Sequence, residues 1–146
     1  MLMMIMQSSD TIAQGPDSTW GMRHFVHLFR TDIEKFLARL TFKTKPRKII
    51  VCMIYYPDET PSGGWADRVL GYLQYYKNPT KLQTAIQQIF AHATSQIVVP
   101  GVEVVPFPLF SVMNGKDSSL YCSGVEPSAK GNEAIATALL DKLVDQ

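Results

Sequence analysis

Three short apolar runs, separated by longer amphipathic segments, place the strongest constraint on how this chain can fold. The runs cover 2–6, 49–56 and 102–105, and Glu103 is the only charged residue in them. Uncharged runs of this length are typical of strands that are buried on both faces. Because the connections are long enough to include a helix, the order predicts a parallel sheet. We therefore expect an α/β fold with helices on both faces of a parallel sheet.

Helical periodicity fills the connections between the predicted strands. From 22 to 40, apolar residues recur every three or four positions, which predicts a helix with one wide apolar face. Asn78 and Pro79 are residue types that begin helices, so a helix is predicted from there to about 97. A loop or short helix should contain the residues 65–76, and the last helix should begin at Ser128, its predicted N-cap.

Composition and charge exclude several classes of protein. With 146 residues, the chain has room for one domain with one core, which we place at 1–146. A net charge of +1 and a single short basic cluster, 43–48, argue against nucleic-acid binding, and we interpret that cluster as a solvated turn. No apolar stretch approaches the length of a membrane span, and the apolar start is too short for a signal peptide. We expect a soluble protein.

The cysteines and histidines indicate neither a disulfide framework nor a metal site. Cys52 lies in a predicted strand and Cys122 in a late loop, which favours a reducing, intracellular compartment that the sequence does not identify further. His24 and His27 are three positions apart on one predicted helix and have no third ligand at a convincing position. We therefore expect no metal and no cofactor.

The segment 117–132 gives the clearest indication of family. It reads DSSLYCSGVEPSAKGN and continues into the last predicted helix. It resembles the final block of the SGNH (GDSL-type) hydrolases, D-x-x-H-P-S/N-x-x-G, in which the Asp and the His are catalytic. One branch of that superfamily has Glu in place of the His, in an I-E-P-S-x-x-G block, and a C-T-I-Y-D-P strand end. The segments 120–136 and 52–57 are similar to these two motifs.

The resemblance implies a flavodoxin-like three-layer sandwich, of which this chain would be the C-terminal two-thirds, without the family's first strand and helix. The family's catalytic Asp and His would fall at Ser123 and Glu126. The opening run aligns with the family block V-x-x-G-G-N-D, whose Asn helps to stabilise the oxyanion, and Ser9 falls at that Asn. The G-D-S block with the nucleophilic Ser would lie before residue 1, since the chain contains no G-D-S. We therefore expect a domain that is incomplete at its N-terminus.

These replacements predict a loss of catalysis. Ester hydrolysis through a covalent intermediate needs a nucleophile, a base and preorganised oxyanion donors. A glutamate acts as a base near neutral pH only if its pKa is raised, whereas the start of a helix favours its ionised form. Glu126 is thus interpreted either as a carboxylate that stabilises the last helix or its loop, or as a remnant catalytic or ligand-binding group.

Two further groups of residues have open interpretations. Asp58 and Glu59 follow a strand end and could contact a ligand, although acidic turn residues are usually solvated. An aromatic cluster beside Gly63 and Gly64 predicts either ordinary packing or a surface for an acyl group or a protein partner. Its members are Trp65, Tyr72, Tyr75 and Tyr76.

Three interpretations of the whole chain remain. In the first it is an esterase or acylhydrolase by descent, related to enzymes that act on acyl esters, and is not catalytic by itself. In the second it is a non-catalytic structural or interaction subunit, with a protein partner that covers the truncated sheet. In the third it is a fragment of a longer, active protein whose upstream segment carries the nucleophile.

Overall fold

The computed structural model of the protein describes residues 6–144. Within them the chain forms an α/β structure with two compact units. The first unit contains residues 6–53 and 84–107, and the second contains residues 54–83 and 108–144. A single domain over 1–146 stays a prediction. None of the helices in residues 6–144 is both long enough and apolar enough to cross a membrane.

A nearly continuous helical stretch occupies the early part of the first unit. Helix α1 is short, Ser9–Ala13. Helix α2, Met22–Val26, passes directly into a π-helical turn, His27–Asp32, and then into α3, Ile33–Leu40. The helix predicted over 22–40 is therefore confirmed. The π-helical turn inside it, with its wider hydrogen-bonding pattern, is not revealed by the apolar periodicity.

Two strands of the first unit pair in parallel. Strand β1 is Lys48–Met53 and strand β2 is Glu103–Pro108. A hydrophobic core forms where one face of this sheet meets α3 and the chain that leads into β2. Its buried members are Leu37, Ile97 and Val99, and partly buried side chains pack against them: Ile33, Ile49, Val51, Val102 and Val104.

Each strand differs from its predicted bounds at its carboxyl end. Strand β1 ends at Met53 rather than at Tyr56, whose N–H donates to the carbonyl of Met113 at 3.1 Å instead of extending the ladder. Strand β2 continues through Pro106, which we expected to end it. Proline is tolerated on an edge strand, because the N–H that it lacks need not face a neighbouring strand.

The strand predicted at 2–6 lies outside the described residues except for Met6, which is in a turn. The structure therefore describes an α/β fold with a two-stranded parallel sheet and several helices. The three-layer sandwich with helices on both faces stays a prediction.

The second unit consists mainly of helices and turns. Helix α4 is Ala66–Tyr72, within the predicted aromatic segment, and α6 is Ala129–Val144, which begins one residue after Ser128 as predicted. Helix α5, Pro79–His92, begins in the second unit and ends in the first. It is shorter than predicted because Ala93 leaves the helical backbone conformation and a 3₁₀ turn, Thr94–Gln96, follows.

Candidate functional site

The loop 121–128 of the second unit brings two predicted site residues, Ser123 and Glu126, into one turn. Tyr121 and Pro127 form an isolated antiparallel bridge, and the N–H of Cys122 donates to the carbonyl of Glu126 at 2.9 Å. Gly124 has a φ of 76°, a left-handed conformation that glycine adopts at little cost. This conformation lets the chain reverse direction between Ser123 and Glu126.

Ser128 connects this loop to helix α6. Its hydroxyl accepts from the N–H of Gly131 at 3.2 Å and donates to the carbonyl of Ser119 at 2.7 Å. The side chain thus satisfies one of the free N–H groups at the start of the helix, as the predicted N-cap should. Because the same hydroxyl also bonds Ser119, it fixes the loop relative to the first turn of α6.

Glu126 is exposed and is held by a residue far from it in sequence. The indole N–H of Trp65 donates to its Oε1 at 3.2 Å, and the Cys122 thiol sulfur lies 3.9 Å from Oε2. The nearby Ser123 hydroxyl, the Trp65 indole and the Cys122 thiol hold the pKa of Glu126 below its ordinary value, in that order of effect. Glu126 is therefore an ionised carboxylate at neutral pH, which can accept hydrogen bonds or attract a cation but cannot donate a proton.

Ser123 is beside Glu126 without a formed hydrogen bond. Its hydroxyl oxygen is shielded from solvent and has no partner of normal geometry among residues 6–144. The hydroxyl is nevertheless close enough to the Glu126 carboxylate to be the largest cause of its lowered pKa. The two side chains are therefore close neighbours within the turn, without a hydrogen bond of normal geometry. Gly64 packs against this position, since a Cβ there would lie 3.3 Å from the Cβ of Ser123.

Asp67, which the sequence analysis missed, fixes the segment that packs on Ser123. Its Oδ2 accepts from the N–H of Gly63 at 2.6 Å, and its Oδ1 accepts from the Tyr76 hydroxyl at 2.5 Å. The Tyr76 bond is the main reason that the pKa of Asp67 is lowered. The pKa of Tyr76 is raised, first by burial and then by the same bond. An acidic residue in the first turn of a helix after two glycines was the available signal.

Asp58 is a buried carboxylate, whereas acidic residues in turns are usually solvated. It is 4% exposed, and its Oδ1 accepts from the N–H of Thr60 and from the Ser118 hydroxyl, both at 2.9 Å. Its own N–H donates to the carbonyl of Gly124 at 2.7 Å. These bonds connect the chain after β1 to the loop that carries Ser123 and Glu126, so Asp58 has a structural role in the second unit.

The tyrosines around this loop are donors to backbone carbonyls. Tyr55 donates to Val125 at 2.7 Å, Tyr121 to Tyr56 at 2.7 Å, and Tyr75 to Pro57 at 2.8 Å. Burial, the largest cause, raises the pKa of Tyr75 to about 12. The hydroxyls of Tyr75 and Tyr121 are therefore protonated structural donors, and for Tyr75 ordinary packing is the interpretation that agrees with the structure.

Ser9 and the histidines belong to the other unit. Ser9 is the first residue of α1, where Ser8 is the N-cap and accepts from the N–H of Thr11 at 3.1 Å. Its oxyanion role stays a prediction. All three histidines fall in the first unit by sequence, so the unit that contains Ser123 and Glu126 has none. Within the part of the chain that the structure describes, no group of three His, Cys, Asp or Glu residues could hold a metal ion.

No protein-family model, curated protein or solved structure matches this chain.

Proposed function

We propose that the chain is an SGNH-type hydrolase domain, with the flavodoxin-like three-layer sandwich of that superfamily, that does not hydrolyse esters by itself. The observation that carries this proposal is the turn in which Ser123 and Glu126 lie together immediately before helix α6. This is where the superfamily has its catalytic Asp and His, and here neither side chain has the chemistry that the reaction needs.

Glu126 is a poor general base. A base works best when its pKa lies near the operating pH, and an unperturbed histidine meets that condition whereas a glutamate with a lowered pKa does not. The hydrogen bond from Trp65 stabilises the charged form, so it opposes the proton uptake that base catalysis requires. A carboxylate held in this way is suited to keeping the loop in place.

The Ser123 hydroxyl and the Cys122 thiol do not compensate for the weak base at Glu126. The Ser123 hydroxyl is shielded from solvent, so a substrate carbonyl has no direct approach to it. The Cys122 thiol is exposed, and its neighbours are hydrogen-bond acceptors: the carbonyls of Glu126 and Pro127 and the Glu126 carboxylate. A thiol nucleophile is activated by a base or by a neighbouring cation, and Glu126, whose pKa is lowered, is a weak base.

Turnover of short-chain nitrophenyl esters by the full chain tests this proposal. We expect no hydrolysis above the buffer rate, and the same result for Ser123→Ala and Glu126→Gln. The matched control is Glu133→Gln, which removes one exposed carboxylate from α6 outside the loop. The proposal fails if the wild-type chain turns over the ester and Glu126→Gln, but not Glu133→Gln, abolishes the activity.

A second candidate is a non-catalytic structural or interaction subunit, and one observation favours it. Trp65, the N-cap of α4, is more than half exposed, as are Val69 and Tyr72 within the helix, and the three are spaced i, i+4 and i+7. Side chains at this spacing share one helix face, and exposed Trp and Tyr are favoured in protein interfaces. The Trp65 ring is also preoriented by its bond to Glu126, which reduces the entropy lost on binding.

The native size of the protein in extract from its own source tests the subunit function. We expect elution with a larger assembly, and elution near the mass of the chain alone when Trp65 and Tyr72 are both replaced by Ser. Trp20→Ser, in the other unit, is the matched control because Trp20 and Trp65 are equally exposed. Elution of the wild-type protein at its own mass would contradict this candidate.

Because Cys52 and Cys122 are both free, we also propose a reducing, intracellular compartment.

A further inference from the structure

The charge of the chain is unevenly distributed around the end of helix α3. Residues 35–57 contain six Lys or Arg residues and no Asp or Glu, although the whole chain has a net charge of only +1. All six cations fall between Lys35 and Lys48. Such a local asymmetry in an otherwise neutral chain is a physical indication of an acidic partner surface.

The structure presents most of this segment to solvent. Leu37 and Thr41 are buried and anchor it, and the Thr41 hydroxyl donates to the carbonyl of Leu37 at 2.8 Å. The other residues from 38 to 47 are exposed. The segment is therefore a fixed surface feature: its two buried side chains hold the helix end while the rest points outward.

Four of the cations have no acidic partner within the part of the chain that the structure describes. Lys35 lies 3.4 Å from Asp32, and Lys48 lies 3.8 Å from Glu103. The other four cations form no ion pair with an acidic residue among 6–144. They are Arg39, Lys43, Lys45 and Arg47. Lys45 donates to the carbonyl of Pro100 at 2.8 Å, which fixes its position without neutralising it.

Large apolar side chains are exposed among these cations. Phe42 is 84% exposed, and Phe36 and Leu40 are each more than half exposed. Phe36 and Leu40 are four positions apart on α3, so they are neighbours on one helix face. Phe42 and Lys45 border a cleft of about 350 Å³ whose other lining residues are Ala38, Thr41, Val99 and Pro100.

We propose that this basic and apolar surface, residues 36–47, docks on the face of a lipid bilayer that contains acidic lipids. The four unpaired cations supply attraction to the negative headgroups, and Phe36, Leu40 and Phe42 enter the boundary between headgroups and acyl chains. This combination of a charged face and a few large apolar side chains is the composition of peripheral membrane-binding segments. No spanning helix is needed for such binding.

The apolar side chains distinguish a bilayer from the other acidic partner, a nucleic acid. Lys and Arg would contact phosphates in either case, so the cations alone do not separate the two. A duplex backbone offers nothing to an exposed leucine, whereas a bilayer buries leucine and phenylalanine favourably. Replacement of Phe42 therefore weakens binding to vesicles and leaves charge-driven binding to a duplex unchanged.

Cosedimentation of the full chain with vesicles tests the proposal, with pure phosphatidylcholine compared against a mixture containing about one-third phosphatidylserine. We expect binding to the acidic vesicles alone, weakened by salt. Replacing Lys43 and Arg47 by Ala should lower the partition coefficient on the order of twentyfold, about fivefold for each cation. Phe42→Ser should lower it severalfold.

Two control variants test whether the loss of vesicle binding is specific to residues 36–47. Lys77→Ala with Lys116→Ala removes two exposed cations elsewhere, and Trp20→Ser removes another large exposed aromatic side chain. Both should bind like the wild-type chain, and none of these exposed changes should alter the circular dichroism spectrum. The proposal is overturned if acidic vesicles do not bind, or if the control variants lose as much binding as the test variants. It is also overturned if Phe42→Ser has no effect and a nucleic-acid duplex binds more tightly than the vesicles.

Discussion

The indole N–H of Trp65 donates to the carboxylate of Glu126 at 3.2 Å across a sequence separation of 61 residues. The bond joins the residue before helix α4 to the loop before helix α6. Its acceptor is a carboxylate, so the bond favours the charged form of Glu126. The contact connects two segments of the second unit, which agrees with the interpretation of Glu126 as a carboxylate that stabilises its loop.

Trp65→Phe should raise the pKa of Glu126 toward its ordinary value. The ring is retained but the N–H donor is lost, so the charged form is stabilised less, while Ser123 and Cys122 keep part of the lowering. The pKa can be measured by following the side-chain carboxyl carbon of Glu126 by NMR as the pH is changed. Trp20→Phe is the control, because Trp20 is equally exposed and lies in the other unit. An unchanged Glu126 pKa in Trp65→Phe would falsify the role given to the indole.

Tyr76→Phe should destabilise the protein near neutral pH and leave its stability in acid almost unchanged. The folded-state pKa of Asp67 is lowered, first by the Tyr76 bond, so Asp67 contributes stability above its unfolded-state pKa. That contribution is lost as the pH falls through the folded-state pKa, where the carboxylate becomes protonated. Thermal unfolding of both proteins from pH 7 down to strongly acidic pH measures the difference. Tyr72→Phe removes an exposed hydroxyl from α4, the helix that contains Asp67, and should show no such pH dependence.

Several local features of the fold could be predicted from the sequence. Ser123 and Glu126 are three positions apart beside a glycine, so their shared turn follows from local chemistry. The N-cap at Ser128 is also local, as is the helical stretch 22–40, whose apolar period is repeated over five turns. Features set by neighbours in sequence are those that periodicity and capping rules describe.

The structural features that could not be predicted from the sequence depend on contacts between residues that are distant in the chain. Asp58 has the turn chemistry that lets it bond the N–H of Thr60, which local rules anticipate. Its burial depends also on Ser118, 60 positions away, and on the chain that brings the two together. The extension of β2 through Pro106 likewise depends on which side of the strand faces a neighbour. Such partners are fixed only once the fold is known.

Asp58→Ala should lower the free energy of unfolding by about 1–3 kcal/mol, because two hydrogen bonds to a buried acceptor are lost and each contributes about 0.5–1.5 kcal/mol. The donors are the N–H of Thr60 and the hydroxyl of Ser118. Asp58→Asn keeps one acceptor oxygen in the same place and should retain most of the stability. Urea unfolding measures both variants. Equal losses in the two would show that the charge, and not the acceptor oxygen, is what the second unit requires.

Two glycine substitutions on helices should have opposite effects on stability. A Cβ at Gly131 in α6 would overlap the carbonyl oxygen of Leu120, a backbone atom that cannot move without the loop. Gly131→Ala should therefore lower the free energy of unfolding by about 1–3 kcal/mol or more, as overpacking does.

The matched control for that change is Gly71→Ala in helix α4. No atom lies within 4 Å of the position that its Cβ would take. The alanine therefore meets no clash and only restricts the unfolded chain, so Gly71→Ala should raise stability by about 0.5–1 kcal/mol. Urea unfolding of both variants beside the wild-type chain measures the two effects with one method. If both substitutions changed stability in the same direction, the close approach of α6 to the carbonyl of Leu120 would not be the reason for glycine at position 131.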